Sequence, residues 1–296
     1  MALFSYRHQE FLMSKDVLAK HPRGISRGVL FFVALRYTLT KKRMFFFGFI
    51  IFLIGAVVGS FVDALVWRTK ERLPIVFARS ICTTCHAMIS WFDNIPIFSF
   101  FILRGRCRSC QTPIAFRYPI VEAIVGVLFV VVGYAHRFSV TPEFIRDAFL
   151  ATLLVVVFLY DFFYGEILDR FTTIPAIILF FASLVFGWAT PQSMGLGIAL
   201  GAGFFFAQFI VSKGRWIGGG DIRLGAFMGV VLGWPNILSA LFFAYTVGAL
   251  VSIVLLAVKK KKMTDETPFG TYLALGTFAT MLYGDRMIAW YLGFLR

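Results

Sequence analysis

Charge is what this sequence has little of, and acidic charge least. Only 15% of the 296 residues are charged, and Lys and Arg outnumber Asp and Glu by 29 to 15. An ordinary soluble domain is about 25% charged and roughly 45–50% apolar. Here 59% of residues are hydrophobic and 18% aromatic, which excludes a soluble globular domain. Sustained alternation of apolar and polar residues is also missing, and that excludes a transmembrane barrel. No glycine-rich cofactor-binding fold of the soluble kind is visible. Cysteine is scarce as well: the four cysteines occur only as two close pairs.

What the chain does have is a series of apolar stretches near the roughly 20 residues that cross a bilayer. The first clear span is 44–67. Others follow at 118–135, 144–163, 172–190, 194–212, 222–234, 236–258 and 269–292. The expectation is an all-α polytopic membrane protein with about eight transmembrane helices and a small zinc-binding cytoplasmic domain between helices 1 and 2. The domains expected are a basic N-terminal extension at 1–43, the first helix at 44–67, a four-cysteine island at 68–117 and a membrane domain at 118–296. The net charge of +14 is read as the positive-inside bias of a membrane protein, so no nucleic-acid partner is expected.

Basic residues also orient the chain. The island carries eight Lys or Arg, and loops on its side hold Arg170, Lys213, Arg215 and the run Lys259 to Lys262. Opposite loops hold Arg137, Arg146, Arg286 and Arg296. The island is therefore expected on the cytoplasmic side. The extension conflicts with this count, because alternation puts its nine basic residues outside. Two readings stay open: a segment foreign to the natural protein, or one lying at the membrane interface.

Acidic residues inside such segments are costly, so their default reading is functional. Asp161 closes one apolar segment, and Asp221 opens another directly after Gly218, Gly219 and Gly220. The orientation above puts both on one face at similar depth. Two carboxylates held close cannot both ionise cheaply and share one proton. The ionised member then takes a proton from water while the protonated one polarises a carbonyl. The competing reading pairs each aspartate with a basic neighbour such as Arg223, or with a transported cation. Glu166 and Asp169 lie in the following polar loop and read as solvated or capping groups.

The cysteines form Cys82-Thr83-Thr84-Cys85 and Cys107-Arg108-Ser109-Cys110. Two such pairs separated by about 20 residues place four thiolates around one zinc ion. Arg104, Arg106 and Arg108 favour the thiolate form. A site with four cysteines is closed, so the zinc is expected to be structural, and His86 to lie at the surface.

These residues together resemble the bacterial prepilin peptidases, or type IV leader peptidases, over about residues 44–292. The resemblance is carried by Gly59-Ser60-Phe61 and Arg68, and by the paired cysteines enclosing Asn94-Ile95-Pro96, Ser99 and Arg104-Gly105-Arg106. Arg117-Tyr118-Pro119 and Glu122 continue it, followed by Asp161, Asp169 and Pro175, then Gly218 to Asp221, Leu224, Gly229 and Pro268-Phe269-Gly270. The chain departs from the family at Thr83 and Leu168, where Pro is common, and at Arg106 and Arg223, where Lys is usual.

The resemblance implies catalytic roles for Asp161 and Asp221 in an intramembrane aspartic endopeptidase. It would cleave the basic leader of prepilins or pseudopilins at the cytoplasmic face of a bacterial inner membrane, among pilus or type II secretion machinery. It also implies S-adenosylmethionine as the donor that methylates the new N-terminus, with Arg104, Gly105 and Arg106 as the contributing region. The competing classes are a related protease of the preflagellin or presenilin type, an ion-coupled transporter with broken helices, and a zinc-stabilised scaffold.

Overall fold

The computed structural model describes residues 27–75, 79–258 and 267–294. The expected basic extension therefore lies outside the described residues up to position 26. Among the described residues every regular element is helical, with two isolated β-bridges in the cysteine island. The helices are α1 (Arg27–Lys70), α2 (Phe98–Ile102), α3 (Arg117–Ala135), α4 (Pro142–Tyr164), α5 (Asp169–Phe186), α6 (Pro191–Ser212), α7 (Gly219–Leu232), α8 (Asn236–Ala257) and α9 (Phe269–Phe294). A short 3-10 turn, Trp91–Asn94, precedes α2.

Six helices are long and apolar enough to cross a membrane by length and composition: 42–70 of α1, and α3, α4, α5, α6 and α8. This is a multi-pass membrane protein. The other two expected spans are helical but do not qualify. At 14 residues, α7 rises only about 21 Å, short of the ~30 Å hydrocarbon thickness. The other, α9, is 26 residues long and carries Asp285 and Arg286.

Local signals set the helix ends. The hydroxyl of Thr141 accepts the amide of Phe144, and Pro142 fills the first helical position of α4. That proline costs nothing there, because the first-turn amide has no intrahelical partner anyway. At the far end Gly165 turns left-handed with φ +64°, and its amide returns to the Asp161 carbonyl at 2.7 Å. The helix is thereby ended one turn after Asp161.

Of all the spans α4 is the most enclosed, with 61% of its apolar window buried against 22–39% for the others. Its two faces serve two apolar cores. Leu150, Leu153, Leu154 and Val157 pack with Leu224, Phe227, Met228 and Leu273. Val156, Leu159 and Tyr160 pack with Val62, Val66, Val121 and Val125. Asp161 thus sits at the end of the central helix, between both cores.

Helices α6 and α7 make the closest pair, backbone against backbone. Gly197 faces Gly229 and Gly201 faces Gly225. A Cβ on Gly225 would stand 2.6 Å from the Gly201 carbonyl oxygen and 2.7 Å from Phe205 Cδ2. In lipid such close approach is the main source of helix association. Replacing Gly225 by Ala must push α7 off α6, at about 1–3 kcal/mol for overpacking. A clearly lowered thermal midpoint in detergent is expected, and an unchanged midpoint would mean that the two backbones do not touch.

Candidate active site and metal centre

Asp161 is 4% exposed. Its Oδ2 accepts the amide of Thr271 at 2.8 Å, in the first turn of α9. Asp221 lies in the first turn of α7, where its Oδ2 accepts the amide of Gly218 at 3.1 Å. Its own amide gives back to the Gly218 carbonyl at 3.1 Å. Each carboxylate therefore faces the amide end of a helix, where unsatisfied N–H groups and the helix dipole favour negative charge.

Ile167 joins the two groups. A Cβ on Gly220 would lie 2.9 Å from Ile167 Cβ, and one on Gly270 would lie 2.8 Å from Ile167 Cδ1 and 2.9 Å from Asp161 Oδ2. The glycines at 220 and 270 are the space that lets α7 and α9 close around Ile167 and the carboxylates. The charge of Asp221 acts on Asp161. Among the described residues no hydrogen bond joins the two, since each has an amide of its own.

Basic neighbours do not neutralise it. Arg223 forms an ion pair with Asp169, and its Nε gives to the Gly219 carbonyl at 3.1 Å. Glu166 pairs with Lys70 at 3.3 Å. Both pairs are substantially exposed, so each contributes at most about 1 kcal/mol. Their consequence is topological: Asp169 takes Arg223, and among the described residues Asp221 has no salt bridge.

The second centre is built from two matching knuckles. Cys82 gives its amide to the Ala87 carbonyl at 3.0 Å, and Cys107 gives its amide to Thr112 at 2.9 Å. In each, the residue after the second cysteine turns left-handed: His86 with φ +57° and Gln111 with φ +58°. The four sulfurs of Cys82, Cys85, Cys107 and Cys110 lie within 4.8 Å of one another. That arrangement has the ligand count and closeness for a single metal ion.

Their acidities differ: Cys85, although the Ala87 amide favours its thiolate, is pushed up to about 11, chiefly by the Cys110 thiol. The hydroxyl and amide of Thr112 pull the Cys110 thiol down to about 6. The amides of Cys85 and Thr84 lower Cys82. Arg108 contributes little here, because it grips Asp93 through two hydrogen bonds of 2.8 and 2.7 Å and holds that carboxyl below its ordinary range. At Cys82 and Cys110, backbone amides and Thr112, rather than the flanking arginines, favour the thiolate. The Arg108–Asp93 pair instead ties the second knuckle to the 3-10 turn.

Arg104 and Gly105 both turn left-handed, with φ +52° and +66°. The ring of Phe100 covers Gly105, 3.1 Å from where a Cβ would be. Arg104, Gly105 and Arg106 therefore form the strap between α2 and the second knuckle.

Ile167, Gly270 and Thr271 are contributors to the aspartate cluster that sequence patterning does not reveal. Pro268-Phe269-Gly270 marks the place as a motif, but nothing in its spacing points to a residue 110 positions earlier.

Comparison with known proteins agrees with this architecture. Residues 53–136 match the Bacterial Peptidase A24 N-terminal domain, and residues 148–253 match the Type IV leader peptidase family. The prepilin leader peptidase/N-methyltransferase of Bacillus subtilis (strain 168) is 32% identical over 245 residues, covering 82% of this chain and 97% of that protein. The protein of the same name from Myxococcus xanthus (strain DK1622) is 32% identical over 234 residues, covering 76% and 69%. That from Aeromonas salmonicida (strain A449) is 28% identical over 276 residues, covering 82% and 93%. No solved structure is significantly similar. With near full-length likeness to one relative and both domain matches in order along it, this chain belongs to the type IV leader peptidase family.

Proposed function

We propose that this enzyme cleaves the basic leader from prepilins or pseudopilins and then methylates the new N-terminus. The observation that carries the cleavage half is the clustering of Asp161 and Asp221 around Ile167, each bound by helix amides and, among the described residues, neither salt-bridged. In this reading a water and the scissile carbonyl occupy the space between the carboxyl groups. The ionised carboxylate takes a proton from water as its oxygen attacks the carbonyl carbon. The protonated partner donates to the carbonyl oxygen, and the proton taken from water passes to the departing amine as the C–N bond breaks. Gly218, Gly219 and Gly220 leave backbone accessible to an extended substrate beside Asp221.

The metal at the four cysteines is read as zinc, which tetrahedral thiolate sites select. Its place is structural, since four protein ligands leave no open position. S-adenosylmethionine would supply an electrophilic methyl group on a cationic sulfur. A buried acceptor suited to a cation exists in this half of the molecule: the Oδ2 of Asp63 has no hydrogen-bond partner. The Arg104, Gly105 and Arg106 strap supports the same half by fixing the second knuckle. We place residues 68–117 and both aspartates on the cytoplasmic side of a bacterial inner membrane, and residues 118–296 as the protease domain. Docking onto pilus or secretion machinery belongs to the same reading.

The test uses the purified full chain in detergent with a prepilin substrate, followed by intact mass. Loss of the leader, and a further gain of one methyl group when S-adenosylmethionine is present, are the expected results. An unchanged substrate mass would refute the reading.

A further inference from the structure

Gln208 is the one polar residue in the run Phe204 to Val211 of α6. A polar side chain in such a run is costly unless another polar group meets it. Its partner is Tyr245 of α8. Gln208 Nε2 gives to the tyrosine hydroxyl at 3.0 Å, and that hydroxyl gives to Gln208 Oε1 at 3.1 Å. Bonds of this kind join membrane helices. This one also anchors a ring that packs against the support of Asp161.

The Tyr245 ring meets Phe269 with centroids 4.8 Å apart and planes at 61°, and meets Phe204 at 5.6 Å. Phe205, fully buried, faces Phe269 from α6 at 6.1 Å. Phe269 opens α9, and Gly270 and Thr271 follow it. Gly270 leaves the room that Asp161 fills, and the Thr271 amide gives to Asp161 Oδ2 at 2.8 Å. Held by Gln208 at its hydroxyl end, the Tyr245 ring cannot swing away from Phe269. The charge of Asp221 also reaches Tyr245. One side chain therefore packs on the support of the first carboxylate and lies in the field of the second.

From this arrangement we infer that Tyr245, anchored by Gln208, is a positioning residue that sets the spacing of Asp161 and Asp221. It acts through Phe269 and Thr271 and takes no part in the proton transfers. Spacing matters because the interaction of two close charges varies with their distance. The inference rests on the cleavage half of the proposed function and adds residues to it.

The experiment measures leader release by the full chain in detergent, against substrate concentration and pH. Tyr245→Phe keeps the ring and loses the hydroxyl, whereas Gln208→Leu keeps the hydroxyl and loses its partner. Each should lower kcat about 3- to 20-fold, the worth of one hydrogen bond between membrane helices, with KM unchanged within about twofold. Combined, they should be no slower than the worse one alone, because they break the same bond. Tyr245→Leu removes ring and hydroxyl and should cost about 100-fold, as a misplacement of about 1 Å does. In Tyr245→Leu the limbs of the pH–rate profile should also move by about half a unit or more, since they belong to the coupled carboxyl pair. A loss of folded protein lowers the rate and leaves the limbs in place. Hydrogen exchange reads the same geometry without substrate: the Thr271 amide should exchange faster in Tyr245→Leu. Parental kcat in folded Tyr245→Leu, or a lowered kcat with unmoved limbs, would overturn the inference. A parental chain that releases no leader removes the cleavage reading instead. Exchange at Thr271 then decides the inference, and an unchanged rate there overturns it.

Discussion

Asp161→Asn should assemble normally and yet release leader about 100- to 10,000-fold more slowly, the range typical for loss of a general acid or base. Assembly is expected because the amide of Thr271 needs only an oxygen acceptor at 2.8 Å, and the Asn carbonyl supplies one. The same holds for Asp221→Asn, where Asn can still accept from Gly218 at the start of α7. Asn cannot take a proton from water, so the fold survives and the reaction does not. Leader release timed by gel shift separates these outcomes, with thermal midpoints as the control for folding. Loss of activity together with loss of folding would mean that the carboxylates serve only as helix caps.

The second large effect concerns the metal. Elemental analysis should find about one zinc per chain, in keeping with the single tetrahedral site that four cysteines form. Cys82→Ser combined with Cys107→Ser should abolish it, because one ligand is lost from each knuckle. Structural zinc sites contribute about 10–16 kcal/mol of apparent binding free energy in small domains, so the island has little to replace it. Among the described residues its side-chain ties include the Arg108–Asp93 pair, the Arg68 hydrogen bonds to Ile75 and Arg79, the Asn94–Ser80 hydrogen bond and the Ile97 amide on Glu122. Limited proteolysis should then cut between 79 and 116 in the double variant and spare the parental chain. A metal-free parental chain that resists proteolysis would contradict this.

Much of the fold is legible because apolar runs of membrane length have few other uses. All eight apolar stretches correspond to helices, and the cysteine pairs come together as their spacing implies. Boundaries are less visible. The first helix runs from Arg27 to Lys70, well beyond 44–67, because Lys and Arg are good helix formers and nothing in that stretch breaks it. The sixth stretch, 222–234, is already short in the sequence, and α7 ends at Leu232, just before the Gly233 turn.

The site divides in the same way. Asp161 and Asp221 announce themselves as carboxylates at the edges of apolar runs. Their surroundings do not, because Thr271 reaches Asp161 across 110 positions and Ile167 acts from a polar loop. Such long-range contacts leave no period in the sequence. Arg108 likewise reads as a cation for the thiolates, but the fold commits it to Asp93.

The most direct measurement compares leader release by Asp161→Asn, Asp221→Asn and the variant carrying both. Groups that act as one unit are non-additive, so the double variant should be no slower than the worse single one, within about threefold. Losses that multiply, or either single variant cleaving at the parental rate, would show that the two carboxylates do not work on the same water.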